Sequence, residues 1–416
     1  MVQARVVCDI SQHGAIGDGV TDNTGVLQVL IDSNADDSSR CGELYFPNGV
    51  YVSGSLFLRS NLTLTIDGTL LASPDYKSTE KWPMIYTRYE GFMRMMTASL
   101  LNGGRCKRMK DDWVSLPPYV RGDQCAEWDK LENVTIRGSG TIDGNGAESG
   151  FTNNVIYSAF RPTLLGLTWI RGLELTDLNV VNPTFWTIHV LFCTDVYIAR
   201  LNIDSMNPVP IHNGDGIDPD SSSNVLIEKC KINTNDDVIA IKSGKNEDGR
   251  TVGIPSTNIT VRNMSFEHGH GVGIGTEMSG DVSGVLISDI VCNGTGAGVK
   301  IKSERGRGGT IENVVYQNMQ LTRVSQAIII QQHYGDGNSH GLAPTFKNIT
   351  LRNITALDNS VASVGQVDCL LTGKHCVDIF FEDVDLSRAA NQTWAPCAGW
   401  NSGSQTNVKP DVPCLV

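Results

Sequence analysis

The chain has 416 residues, with 33 Lys and Arg against 45 Asp and Glu, and a formal net charge of −12. Only 19% of residues are charged, 40% are apolar, and 43 are glycine. That composition excludes disorder and coiled coils and disfavours nucleic-acid binding, and no run of eighteen apolar residues offers a membrane-spanning helix.

The first five residues, Met1 to Arg5, hold no apolar signal core, so a leader is expected to have been removed or the sequence to begin downstream of one. After Gly14-Ala-Ile-Gly-Asp-Gly-Val-Thr21, the run from Asp22 to Ser33 places Val26, Leu27, Val29, Leu30 and Ile31 on a short amphipathic helix behind a Thr/Asp cap. Strand-like runs begin at Asn61 and Asn133. Between them, from about Pro74 to Trp128, lies an excursion that carries Trp82, Trp113, Trp128, Tyr86, Tyr89 and the basic cluster Arg105-Cys-Lys-Arg108.

From Asp195 onward the sequence repeats. Runs of the type Asp195-Val-Tyr-Ile-Ala-Arg-Leu-Asn-Ile recur at Asn224, Asn258, Gly284, Asn313, Asn348 and Asp378, spaced by 29, 34, 26, 29, 35 and 30 residues. Each unit holds two short β-branched runs broken by Gly, Asn or Asp, and neither is long enough for a helix. Units that cannot close a core alone must stack. The expected fold is therefore all-β, a right-handed parallel β-helix forming a single domain over 1–416, with the helix closing one end and the tail from Ala389 closing the other. The repeated Asn at the turns predicts side-chain ladders between coils.

There are 11 cysteines. Cys8, Cys41, Cys106, Cys125, Cys369, Cys376, Cys397 and Cys414 stand in turn-rich contexts, whereas Cys193, Cys230 and Cys292 lie in apolar runs and are expected as buried thiols. Asn-x-Ser/Thr acceptors occur at Asn61, Asn133, Asn258, Asn263, Asn293, Asn348, Asn353 and Asn391. Together these features favour a secreted, disulfide-bonded glycoprotein.

Several polar residues sit where the strand pattern least expects them: Asp215, Asp236, Asp237, His270, Lys300, Lys302 and Tyr334. From Asp215 to Asp237 is 22 residues, and further steps of 33, 32 and 32 reach His270, Lys302 and Tyr334, so one face of the solenoid should collect them. Crowded carboxylates repel, so one is expected to stay protonated as a general acid beside ionised bases. Such a pair suits glycoside hydrolysis, and Lys300 and Lys302, two apart on a strand, would form a fork for a sugar carboxylate. Adjacent Asp236 and Asp237 would point to opposite faces of a regular strand, so a bulge or a turn is expected there. Lys242, Lys300, Lys302, Arg305 and Arg307 are expected to draw acidic sugars in despite the net charge, with weaker binding at high salt.

Asn213-Gly-Asp215, Asp236-Asp237, Gly269-His270-Gly271 and Lys300-Ile301-Lys302, in this order, resemble the Asn-Thr-Asp, Asp-Asp, Gly-His-Gly and Arg-Ile-Lys blocks of glycoside hydrolase family 28, the polygalacturonases. The resemblance runs from about residue 6 to 387. It implies that Asp236 protonates the leaving oxygen, that Asp215 and Asp237 activate an inverting water, and that His270 tunes the acid. Lys300, Lys302 and Tyr334 would hold the galacturonate. It implies no metal or other cofactor and an acidic polysaccharide (pectin, homogalacturonan) as substrate; with the charge balance, the apolar runs and the cysteines, the expectation is a secreted monomer that engages neither nucleic acid nor membrane. Lys300 departs from the family Arg, Gly214 from Thr, and Val238 from a Cys found in many endo-acting members. Ser303-Glu-Arg-Gly-Arg-Gly-Gly309 is more similar to exo-acting members. A rhamnogalacturonan or xylogalacturonan hydrolase, a pectate lyase and a non-catalytic glycan-binding β-helix are the alternatives.

Overall fold

The structure, a computed structural model, describes residues 6–36, 41–111, 122–149, 161–335 and 341–414. Trp113 of the expected excursion lies outside these residues. The chain divides into two compact units, one drawn from Met1–Thr87, Arg94–Ser115 and Gln124–Ile217, the other from Arg88–Met93, Leu116–Asp123 and Asp218–Val416.

Each unit is a stack of parallel strands joined by turns, the coil-on-coil pattern of a right-handed parallel β-helix. In the first unit Leu44, Leu64, Ile136, Leu175 and Ile198 occupy equivalent positions on successive strands, and all are fully buried. In the second, Ile259, Val285, Val314, Ile349 and Ile379 form the matching column. The repeat spacing therefore has a direct physical origin: each period returns an apolar side chain to the place where it covers the one below. Fully burying a side chain of this size contributes about 1.5–3 kcal/mol, and a column shares that gain along the stack.

The turn asparagines adopt the left-handed backbone region, with φ between 49° and 57° at Asn133, Asn258, Asn313, Asn318, Asn348 and Asn353. Asn tolerates this conformation better than most residues. Its amide also bonds its counterpart on the neighbouring coil: Asn133 donates to Asn61 at 3.0 Å, Asn258 to Asn224 at 2.9 Å, Asn348 to Asn313 at 2.7 Å and Asn353 to Asn318 at 2.9 Å. These ladders change the meaning of the glycosylation triplets. Asn61, Asn133, Asn258, Asn348 and Asn353 are rungs, and a glycan on a donating nitrogen would compete with its ladder bond.

Disulfides join Cys8 to Cys41, Cys106 to Cys125, Cys369 to Cys376 and Cys397 to Cys414. These are the eight cysteines of turn-rich context, whereas Cys193, Cys230 and Cys292 are free and buried. Burial pushes the Cys193 and Cys292 thiols up to about 12. The native protein should therefore leave a thiol reagent unconsumed at pH 8, and unfolding without reductant should release three reactive thiols. A fast native reaction would contradict the burial.

Several elements differ from the sequence expectation for local reasons. The first helix, Thr24–Asp36, begins two residues later than expected because Asp22 caps it from outside, accepting from the Thr24 backbone N–H at 3.0 Å and its hydroxyl at 2.5 Å. The excursion is interrupted: Leu101–Asn102 rejoins the sheet between Leu56–Phe57 and Leu165–Thr168. A two-residue strand carries no period for a sequence to display. The tail is one further coil, with Gly403–Lys409 paired in parallel with Cys376–Asp385. A second helix, Asn246–Val252, has no counterpart in the sequence reading, since seven residues containing Gly249 hold no helical apolar stripe.

Candidate active site

In the second unit, one sheet contains Ile239–Ile241, Val272–Ile274, Ala297–Lys302, Gln326–Gln331 and Gly365–Asp368 in parallel order. Alternation turns Ile239, Val272, Val299 and Ile328 into the core in register, so the intervening residues Ala240, Gly273 and Lys300 face the other way. Two of those three are small. The Asp237 carboxylate occupies the room this leaves: a Cβ on Gly273 would lie 3.4 Å from one of its oxygens.

Asp236 and Asp237 precede the strand Ile239–Ile241 rather than belonging to it, so strand alternation does not separate them. Both reach the same cluster. The Lys300 ammonium donates to Asp237 Oδ1 at 2.7 Å and that of Lys302 to Oδ2 at 2.6 Å, with all three side chains buried. His270 Nδ1 lies 2.9 Å from Asp236 Oδ1 and 3.9 Å from Asp237 Oδ1. The Lys302 ammonium stands 5.0 Å from the centre of the Tyr334 ring, and Tyr334 is exposed.

Six of the seven predicted residues thus gather in one unit. The seventh, Asp215, belongs to the first unit and is buried there, its carbonyl accepting the Thr187 N–H at 2.8 Å.

The electrostatics differ from the expectation of a carboxyl held protonated. Burial pushes the Asp237 carboxyl up, but the charges and hydrogen bonds of Lys302 and Lys300 outweigh it and hold the group far below the usual carboxylate range. Burial likewise raises Asp236, yet the hydrogen bond and charge of His270, with help from Lys302, leave it below its ordinary value. The depression is much the larger at Asp237. As pH falls, Asp236 therefore takes a proton first, while Asp237 stays ionised. The site separates the two carboxyls by lowering one further rather than by raising the other, and either route yields an acid beside a base. The lysines explain why: the fork expected to meet a sugar carboxylate clamps a protein one here, each ammonium using one of its three N–H donors on Asp237.

Two members of the wider basic cluster also have carboxylate partners. Lys242 is buried against Asp218 at 3.2 Å, and Arg307 pairs with Glu304 and donates to Asn246 Oδ1 at 2.6 Å. Arg305 bonds the Thr372 hydroxyl at 3.0 Å. Buried cations such as Lys242 and Arg307 need charged partners, whereas Arg305 is half-buried and its bond is to a neutral hydroxyl.

Ligating atoms of Asp236, Asp237 and His270 lie within 4.8 Å of one another. A divalent cation there would have to displace two ammonium groups from Asp237, so these residues fit a metal poorly. Cys8, His13 and Cys41 also cluster, but the two sulfurs share a disulfide.

Comparison with known proteins agrees with this chemistry. Residues 118–406 match the sequence profile of glycosyl hydrolases family 28. A probable polygalacturonase of Vitis vinifera is 29% identical over 371 residues, covering 84% of this chain and 68% of its own. An exo-poly-alpha-D-galacturonosidase of Dickeya chrysanthemi is 27% identical over 396 residues, covering 85% of this chain and 62% of its own. Chains named endo-polygalacturonase match as well. In three dimensions the chain is similar to a crystal structure of an exopolygalacturonase from Thermotoga maritima, with a TM-score of 0.74 at 24% identity over 92% of this chain and 89% of that one. With most of its length matched by the profile, the chain belongs to glycosyl hydrolase family 28 and is a glycosidase.

Proposed function

We propose that this chain is a secreted, inverting polygalacturonase that cleaves α-1,4-galacturonosyl linkages in pectic polygalacturonan from a chain end. The observation that carries the reading is the split pair: Asp236 bonded to His270 and Asp237 clamped by Lys300 and Lys302. Asp236 donates the proton to the leaving glycosidic oxygen. Asp237 and Asp215 draw a proton from the attacking water. His270 sets the acidity of Asp236, Tyr334 offers a ring face to the sugar, and Lys300 and Lys302 supply positive charge beside the galacturonate carboxylate.

Asp236 and Asp237 have oxygens within 4.8 Å, closer than the roughly 6.5–9.5 Å that separates acid from base in inverting enzymes. The inverting assignment therefore depends on Asp215 as the opposing base. The Dickeya relative named as exo-acting and the Ser303–Gly309 sequence support attack from a chain end, and four disulfides support export to an oxidising compartment.

One time course tests the reading. Polygalacturonate digested with the purified protein should release galacturonate monomer from the first minutes, with inverted configuration at the new reducing end by NMR and no ultraviolet-absorbing unsaturated ends. An initial ladder of oligomers would make it endo-acting, a retained anomer would remove Asp215 from its role, and unsaturated ends would indicate a lyase. Chelators should leave the rate unchanged.

A further inference from the structure

Asp215 lies at the end of a short irregular segment, and what holds that segment is a buried arginine that no motif includes. Arg161 is 5% exposed. Its guanidinium lies 4.7 Å from the centre of the Phe185 ring. It donates through Nη1 to the carbonyls of Thr184 at 3.1 Å and His212 at 2.5 Å, and through Nη2 to Asn213 Oδ1 at 2.9 Å. One planar group thus ties the coil carrying Phe185 to His212 and Asn213, where Asn213-Gly-Asp215 begins.

The backbone there needs tying. Asn213 has φ +54°, in the left-handed region, and Gly214 is pinned by the Ser205 hydroxyl, which donates to its carbonyl at 2.7 Å. A Cβ at Gly214 would come within 2.7 Å of both that hydroxyl oxygen and the Ile211 carbonyl, so the glycine that departs from the family Thr is required by this turn. Beyond the turn, the Asp215 and Gly216 carbonyls accept from Thr187 at 2.8 Å and Ile188 at 3.0 Å. Asp215 is therefore fixed downstream by sheet bonds and upstream by Arg161 and Ser205.

We infer that Arg161 is a positioning residue for the hydrolysis, holding His212 and Asn213 so that the Asp215 carboxylate keeps one orientation. The inference rests on the role proposed for Asp215. A lysine could not replace this arginine, because an ammonium is a point donor, without the planar fork that reaches separate acceptors and stacks on a ring.

The test is a double-mutant cycle on polygalacturonate with Arg161→Lys, Asp215→Asn and the pair. Arg161→Lys should lower kcat by about 10–100-fold with KM within about twofold, the split expected when a catalytic group is misplaced while substrate binding is intact. In the Asp215→Asn background the same change should cost less than about threefold, since there is no longer a carboxylate to orient. Additive losses, or a loss confined to KM, would overturn the inference. Full activity in Asp215→Asn alone would instead overturn the role of Asp215. Should Arg161→Lys melt early, Asn213→Gly, which removes the side-chain acceptor and keeps the left-handed backbone accessible, should show the same kcat loss and the same non-additivity, and additive losses there would equally overturn the inference.

Discussion

Asp236→Asn is expected to lower kcat on polygalacturonate by about 10²–10⁴-fold while leaving KM nearly unchanged, the usual contribution of a positioned general acid. The amide keeps the shape of the carboxyl and its Oδ1 acceptor, so the 2.9 Å contact with His270 can persist. What it lacks is a transferable proton. Cleaving a glycosidic bond without protonating the departing oxygen forces an alkoxide to leave, and that requirement is the whole of the predicted loss. Because Asp236 is depressed below its ordinary range and Asp237 further still, wild-type activity should rise as pH falls toward the point where Asp236 protonates, then fall once Asp237 does. The variant should lose the first of these limbs. Released reducing ends followed over pH measure both effects, and a variant as active as wild type would remove Asp236 from the mechanism.

The parts of this molecule that were legible in its sequence are those imposed by stacking. An apolar residue must return to the same place on every coil, so Ile259, Val285, Val314, Ile349 and Ile379 advertise themselves by period. The same period brought His270, Lys302 and Tyr334 into one neighbourhood. Cysteines separated themselves by context, since a disulfide needs two turns that meet and a buried thiol needs an apolar strand. Interactions chosen by geometry across coils stayed hidden. No spacing says that Lys300 and Lys302 hold Asp237, because a Lys-x-Lys on an exposed strand reads the same as one facing a buried carboxylate. Nor does a spacing reveal that Arg161 reaches Asn213, 52 residues away, through a guanidinium whose acceptors include backbone carbonyls. The Asn-x-Ser/Thr triplets have a second origin for a related reason: the repeat demands Asn at a left-handed turn, and Thr or Ser two residues on suits a strand, so the fold by itself also generates acceptor triplets.

Lys302→Met is expected to have the second large effect, on pH behaviour and on stability together. Asp237 is buried with two ammonium groups as its charge partners, and removing one leaves Lys300 alone to offset the cost of desolvation. An adjacent opposite charge typically lowers a carboxyl by about 1–3 units, so the acidic limb of kcat/KM that reports Asp237 should move up by about that amount. Removing one partner from a buried pair costs about 3–5 kcal/mol, and here the surviving lysine places the loss near the lower end. The sign of its pH dependence follows from both groups. Asp237 is depressed in the folded state, so its contribution is present above about pH 4, its unfolded value, and is lost as pH falls toward the folded one. Lys302 is raised: burial pulls it down, but the charge and hydrogen bond of Asp237 more than reverse this, so its contribution is present below about pH 10.4 and is lost as pH rises toward the folded value. The stability gap between wild type and variant should therefore be widest between about pH 4 and 10 and narrow at both extremes. Chemical denaturation at about pH 3, 7 and 11 measures the gap directly, and an equal gap at all three values would mean that Lys302 contributes packing rather than charge.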